Sequence, residues 1–271
     1  WADDLTLYTA DAKTAPNSIR LRAALGQVQR VMAARSSEPQ KRRYLEESVA
    51  NLRRAVEIYP DYQSGHYSLG LALADDGKDE AALEAFRRAI ELDPEGYLAQ
   101  LQMGISLYRL SRMTECEKAL LEALDHAPEE KSAEIHRSLG FLYQNTAKLD
   151  QAIEHQLKAL EIKPDYFDAR FELGSNYYRK NQTQKARVQF EKAAEMRPRS
   201  EHVLNSLGAV THRDGDFATA IKYYERSLMA NPNQPDVLMN ISKAYDKLGD
   251  ATRKEDYARR STELKERLGG Q

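Results

Sequence analysis

The 271-residue sequence predicts an all-helical solenoid built from antiparallel helix pairs. Three observations carry that expectation. A pattern of small and large apolar residues, complete in Gln63–Gly96, returns along nearly the whole chain. In that stretch Leu69-Gly70 is followed by Leu73, Ala82, Phe86 and Ala89, spaced for two amphipathic helices, and Pro94 closes it. Prolines also recur ahead of glycines: Pro60–Gly70, Pro94–Gly104, Pro164–Gly174 and Pro198–Gly208 are each ten residues apart.

Taken in order, Trp1, Leu5, Tyr8 and Ala12 share one helical face. Pro16 closes that helix, and Asn17-Ser18 can cap the next. Pro16 stands ten residues before Gly26, so residues 1–16 read as the second half of a repeat. Residues 19–62 hold Leu25-Gly26, Leu52, Ala55 and Pro60. Gly26 and Pro60 are 34 residues apart, against 24 for Gly70 and Pro94. Ten residues are therefore inserted around Ser36–Gln40, read as a longer first helix followed by a loop. Repeats follow at 63–96 and at 97–130, the latter with Met103-Gly104, Leu107, Cys116, Leu120, Ala123 and Pro128. Pro128 and Gly140 are twelve residues apart, which predicts an irregularity near Lys131 and Ser132. Repeats 133–166, 167–200 and 201–234 carry Leu139-Gly140, Leu173-Gly174 and Leu207-Gly208. The last, 235–268, has Ile241-Ser242, and Lys254 where Ala is usual. Its second helix keeps only Tyr257, Leu264 and Leu268 apolar, as expected of a solvent-facing end cap. Residues 1–271 are expected to form a single solenoid domain.

Gly or Ala at the eighth and twentieth repeat positions lets two helices approach closely, and large residues fill the space between successive helices. Gly77, Gly215 and Gly249, with Asn181, fall at the tight turn inside the repeat, where left-handed backbone is often needed. A pair of this kind cannot bury its own apolar face, so pairs stack.

Bulk properties exclude some functions. Lys plus Arg is 40 and Asp plus Glu is 42, a balance unlike that of a protein held to nucleic acid by bulk charge. No run of 18 apolar residues occurs, so direct membrane insertion of this segment is not expected. The single Cys116 excludes an internal disulfide, and its small-residue position makes it a buried spacer. None of the six histidines pairs at helical i, i+4 spacing, so neither a zinc site nor another cofactor is expected. His66 and His136 share the fourth repeat position, which favours packing. Gly65 and Gly70 begin like a phosphate loop, but Leu71-Ala72 stands where Lys-Ser/Thr is required. No acid/base constellation is found, so the segment is not expected to be an enzyme.

The Leu-Gly, Ala, Phe and Pro positions at a 34-residue period resemble the tetratricopeptide repeat (TPR). That resemblance covers about nine-tenths of the chain and implies a right-handed superhelical solenoid. In such arrays the first helix of each repeat lines a concave groove. The groove residues so implied are Tyr67, Leu71, Leu101, Ile105, Tyr108, Arg109, Arg137, Phe141 and Asn145. They continue as Phe171, Tyr178, Arg179, Asn205, His212, Arg213 and Lys243, with Lys247 beyond. Rings recur at the fifth, ninth and twelfth positions. A cation holds the thirteenth position in four repeats: Arg109, Arg179, Arg213 and Lys247. Such a surface suits an extended peptide or a sugar chain. The chaperone-type carboxylate clamp and the asparagine ladder of the nucleocytoplasmic O-GlcNAc transferase are both absent.

A second resemblance is narrower. Trp1-Ala2-Asp3-Asp4-Leu5-Thr6-Leu7-Tyr8 with Ala15-Pro16-Asn17-Ser18 resembles the junction leading into the C-terminal TPR domain of transmembrane O-mannosyltransferase-like proteins. It implies the soluble domain of a larger membrane protein, facing the periplasm or lumen; without it the cytoplasm is the expectation. That family's catalytic acids lie in loops absent here, so none carries over. The expected function is non-catalytic: a protein-protein interaction scaffold holding a peptide or protein segment in its groove. The alternatives are a self-assembling homo-oligomeric module and an acceptor-presenting domain of a membrane glycosyltransferase.

Overall fold

The structure, a computed structural model, describes residues 2–15 and 17–269, without the side chains of residues 2–5, 12 and 13. The expected roles of Trp1, Leu5, Ala12 and Pro16 lie outside that description. The described residues form helices and no strand. They are α1 Ala2–Thr14, α2 Ile19–Ala33, α3 Gln40–Ile58, α4 Gln63–Asp75, α5 Asp79–Leu92, α6 Tyr97–Arg109 and α7 Met113–His126. After a 3-10 turn at Glu129–Lys131 come α8 Ala133–Asn145, α9 Leu149–Ile162, α10 Phe167–Arg179 and α11 Thr183–Met196. The chain ends with α12 Glu201–Arg213, α13 Phe217–Ala230, α14 Pro235–Lys247 and α15 Ala251–Gly269. The 3-10 turn occupies the irregularity expected near Lys131. Two compact units divide the chain, Trp1–Leu142 and Tyr143–Gln271.

In the first unit α2 pairs with α3, α4 with α5 and α6 with α7; α1 lies on α2, and each pair stacks on the next through α3–α4 and α5–α6. Ser18 is the N-cap of α2, its hydroxyl accepting from the Leu21 amide at 3.5 Å. Leu52, Ala72, Leu73, Ala82 and Phe86 fill one core between two such pairs. In the second unit the pairs are α10–α11, α12–α13 and α14–α15, with α9 against α10. Phe190, Val203, Leu207 and Val210 form one core, and Tyr224, Val237, Ile241 and Tyr245 the next. Close approach within a pair depends on the eighth position. A Cβ placed on Gly174 would lie 2.7 Å from the Phe190 ring, and one on Gly104 would lie 2.8 Å from Leu120. In the last pair Ser242 replaces glycine, and its hydroxyl donates to the Lys254 carbonyl at 2.7 Å.

From the α4–α5 pair onward, the turn inside each repeat is a Schellman motif. The amide after the left-handed residue donates back to a carbonyl in the last turn of the first helix: Lys78 to Leu73 at 2.9 Å, Gln182 to Tyr177 at 2.8 Å, Asp250 to Tyr245 at 3.0 Å. Gly77, Gly215 and Gly249 have positive φ, as does Asn181. Ser111 (φ 60°) and Ala147 (φ 61°) take the same conformation without glycine, at a cost of about 1 kcal/mol each.

The insertion differs from expectation. Only α2 and its connection were expected to lengthen. Instead α3 is 19 residues long where α5 is 14, so half of the ten extra residues extend the second helix at its N-terminus. In this extension Arg42 and Arg43 pair with Glu46 and Glu47 one turn on, exposed contacts that add only slightly to the helix.

Candidate functional site

The first helices α4 and α6 present one continuous face in the first unit. Tyr67, Leu71, Ile105 and Tyr108 are half-buried on it, and the Tyr108 ring meets that of Phe141 with centroids 5.2 Å apart. Tyr67 packs its ring 6.2 Å from Phe86, and burial holds its hydroxyl pKa above the usual tyrosine value. Leu101 corrects the expected set. It is 2% exposed and packs inward with the core of α6, so it offers a partner no surface. Arg137 is half-buried and Asn145 exposed on α8.

The second unit places Phe171 and Tyr178 on α10, Asn205, His212 and Arg213 on α12, and Lys243 and Lys247 on α14. Phe171 is half-buried against Phe190, with centroids 5.7 Å apart, and Phe167, 6.3 Å apart. The His212 ring meets the edge of Phe217 at 5.0 Å. Burial, then the charges of Lys243 and Lys247, push its pKa below the usual histidine value. Asn205 donates to the Gln234 side chain at 2.7 Å, while the Gln234 amide donates to the Ser227 carbonyl at 3.0 Å. Gln234, a holder of Asn205, was absent from the expected set, because position 34 of the repeat carries no motif residue.

The thirteenth-position arginines do something the spacing did not show. Each reaches back to the carbonyl of the twelfth position in the preceding repeat: Arg109 to Ala74 at 3.2 Å, Arg179 to Gln144 at 2.7 Å, Arg213 to Tyr178 at 2.8 Å. Those carbonyls lie in the last turn of a helix, where the dipole is negative and acceptor capacity is spare. The Arg213 guanidinium also stacks 3.5 Å from the centroid of the Tyr178 ring. These arginines clip one repeat to the next.

The fourth position is equally structural. The side chain there meets the carbonyl of the proline ending the preceding repeat: Gln100 donates to Pro94 at 3.1 Å and Arg170 to Pro164 at 2.5 Å. His66 Nε2 lies 2.8 Å from the Pro60 carbonyl, which can only accept, so that nitrogen carries the proton. Cys116 is buried, and burial pushes its thiol up to about 12, leaving it a neutral spacer. No helix among the described residues is long and apolar enough to cross a membrane.

The first helices of the two units differ in charge. In the first, Arg109 lies 3.4 Å from Asp79, and Arg30 pairs with Asp75 at 2.9 Å. In the second, Arg179, Arg213, Lys243 and Lys247 have no carboxylate partner among the described residues. The carboxylates nearby are engaged elsewhere: Asp214 with Arg187 at 2.9 Å, Asp246 with Lys254 at 2.8 Å and Asp250 with Arg253 at 3.1 Å.

Comparison with known proteins agrees with this architecture. A tetratricopeptide repeat model matches residues 40–97 and 171–235, and a second one matches 133–166, together more than half of the chain. Human protein O-mannosyl-transferase TMTC1 (Homo sapiens) is 23% identical over 181 residues, 65% of this chain and 20% of that protein. The chain thus spans a fifth or less of the length of the TMTC1 relatives it matches. Among solved structures, the anaphase-promoting-complex hetero-tetramer Cut9–Hcn1 superposes with a TM-score of 0.68 at 16% identity, over 89% of this chain and 46% of that one. YrrB, a TPR protein with an unusual peptide-binding site, superposes with a TM-score of 0.58 at 18% identity, over 69% of this chain and 95% of that one. The chain resembles the TPR domains of TMTC-type proteins, and it belongs to the tetratricopeptide repeat family.

Proposed function

We propose that this segment is a non-catalytic interaction module that holds an extended segment of a partner protein against the face of its first helices. The observation that carries this reading is the half-buried rings that the first helices carry within each unit. Tyr67, Tyr108, Phe171 and Tyr178 are each anchored on one side by core or ring contacts and keep part of their surface open. Rings fixed in this way offer large contact area with little further loss of side-chain freedom. The peptide-binding description of YrrB, a protein of the same fold, supports the reading by analogy. The O-mannosyl-transferase relatives favour one specific setting, in which the module presents acceptor proteins to a membrane enzyme.

The test is selection of binding segments from a random peptide library on the wild-type protein. Affinity for a selected segment should fall about tenfold or more in the Phe141→Ala/Phe171→Ala variant, with helicity retained by circular dichroism. The Leu157→Ala/Val188→Ala variant, altered on the exposed faces of α9 and α11, should bind as the wild type does. Loss in the second variant and retention in the first would move the site to the second helices.

A further inference from the structure

The second unit carries a charge arrangement that packing does not explain. Lys243 and Lys247 are exposed one helical turn apart on α14, a like-charge i, i+4 pair that destabilises a helix. Neither forms an ion pair among the described residues, although Asp246 stands between them in sequence; its carboxylate turns to Lys254. Arg213, on neighbouring α12, is spent on a carbonyl and a ring, which leaves its positive charge uncompensated. His212 beside it is held toward its neutral form by burial and by both lysines. Arg213, Lys243 and Lys247 therefore gather positive charge around His212 on α12 and α14, with the Tyr178 ring against Arg213.

We propose that this patch recognises an acidic segment in extended conformation, with carboxylates on alternate residues paired to Lys243 and Lys247. The inference rests on the groove reading above and adds the chemistry of the occupant. Side chains four apart on a helix have Cβ atoms about 5–6 Å apart. Alternate side chains of an extended chain point the same way about 6.5–7 Å apart. Flexible lysine stems close the remaining difference. A bound pair of carboxylates would also relieve the repulsion between the two lysines. Charge complementarity of this kind adds selectivity and speeds encounter, with a strong dependence on salt.

The test uses two fluorescent peptides of one length, glutamate alternating with threonine and glutamine alternating with threonine, read by anisotropy. The glutamate peptide should bind about tenfold more tightly at low salt, and that preference should shrink as salt rises. Lys243→Gln/Lys247→Gln should abolish the preference. Lys192→Gln/Lys222→Gln, neutralising exposed lysines on α11 and α13, should keep it. Equal binding of the two peptides, or equal loss in both lysine variants, would overturn the proposal. The groove reading fails separately: it falls if library-selected segments ignore Phe141→Ala/Phe171→Ala, whatever the lysine variants do.

Discussion

Gly208→Val should lower stability by about 3 kcal/mol, seen as a lower urea midpoint. Gly208 sits on α12 where it crosses α13. A Cβ there would lie 2.5 Å from Tyr224 Cε1, 2.6 Å from Cδ1 and 2.8 Å from Cζ. The ring cannot step aside, because Tyr224 is 2% exposed and packed among Ala220, Ile241 and Ala244. The helices must separate instead, and the core between them loosens. Even Gly208→Ala should destabilise, although alanine in an open helix is worth about 1 kcal/mol more than glycine. A stabilised alanine variant would show that α12 and α13 are not in the contact described. The same argument holds at Gly174 over Phe190, which ties the result to the repeat and not to one site.

Arg213→Ala should cost about 1 kcal/mol and should act locally. The exposed guanidinium limits the total, since solvent screens its charge. What is lost is a charge-assisted hydrogen bond to the Tyr178 carbonyl at 2.8 Å and the stacking on the Tyr178 ring. That carbonyl also accepts from the Asn181 amide at 3.0 Å, so the last turn of α10 depends on it twice. Hydrogen exchange of the amides around Asn181 and Gln182 should quicken in the variant, and Arg213→Lys should recover only part of the protection. Unchanged exchange there would mean that the arginine faces a ligand and does not clip the repeats.

The arginines mark where reading residues alone reaches its limit. Their recurrence at the thirteenth position is visible as a period, but their acceptors are backbone carbonyls 35 residues earlier, and a carbonyl has no letter. A groove of ligand-facing cations and a row of structural clips therefore look alike in sequence. The helix pairs were legible because each rests on local chemistry: glycine at the crossing, proline after the second helix, left-handed residues at Gly77, Gly215 and Gly249. Ser111 and Ala147 were not, since there the packed helices impose a conformation that the residue itself disfavours. Leu101 failed as a groove residue because an aliphatic side chain at the fifth position turns into the core, where its burial is worth more than exposure. The insertion lengthens α3 as well as the connection, because a charged stretch such as Gln40–Tyr44 is compatible with either loop or helix.

The most direct test of the account is to locate a bound segment. A photo-crosslinking residue placed at Ser175, half-buried on α10 between Phe171 and Tyr178 in sequence, should capture a library-selected segment on irradiation. The same residue at Val188, 45% exposed on α11, should not. Capture at 188 with none at 175 would contradict the claim that the first helices form the binding face.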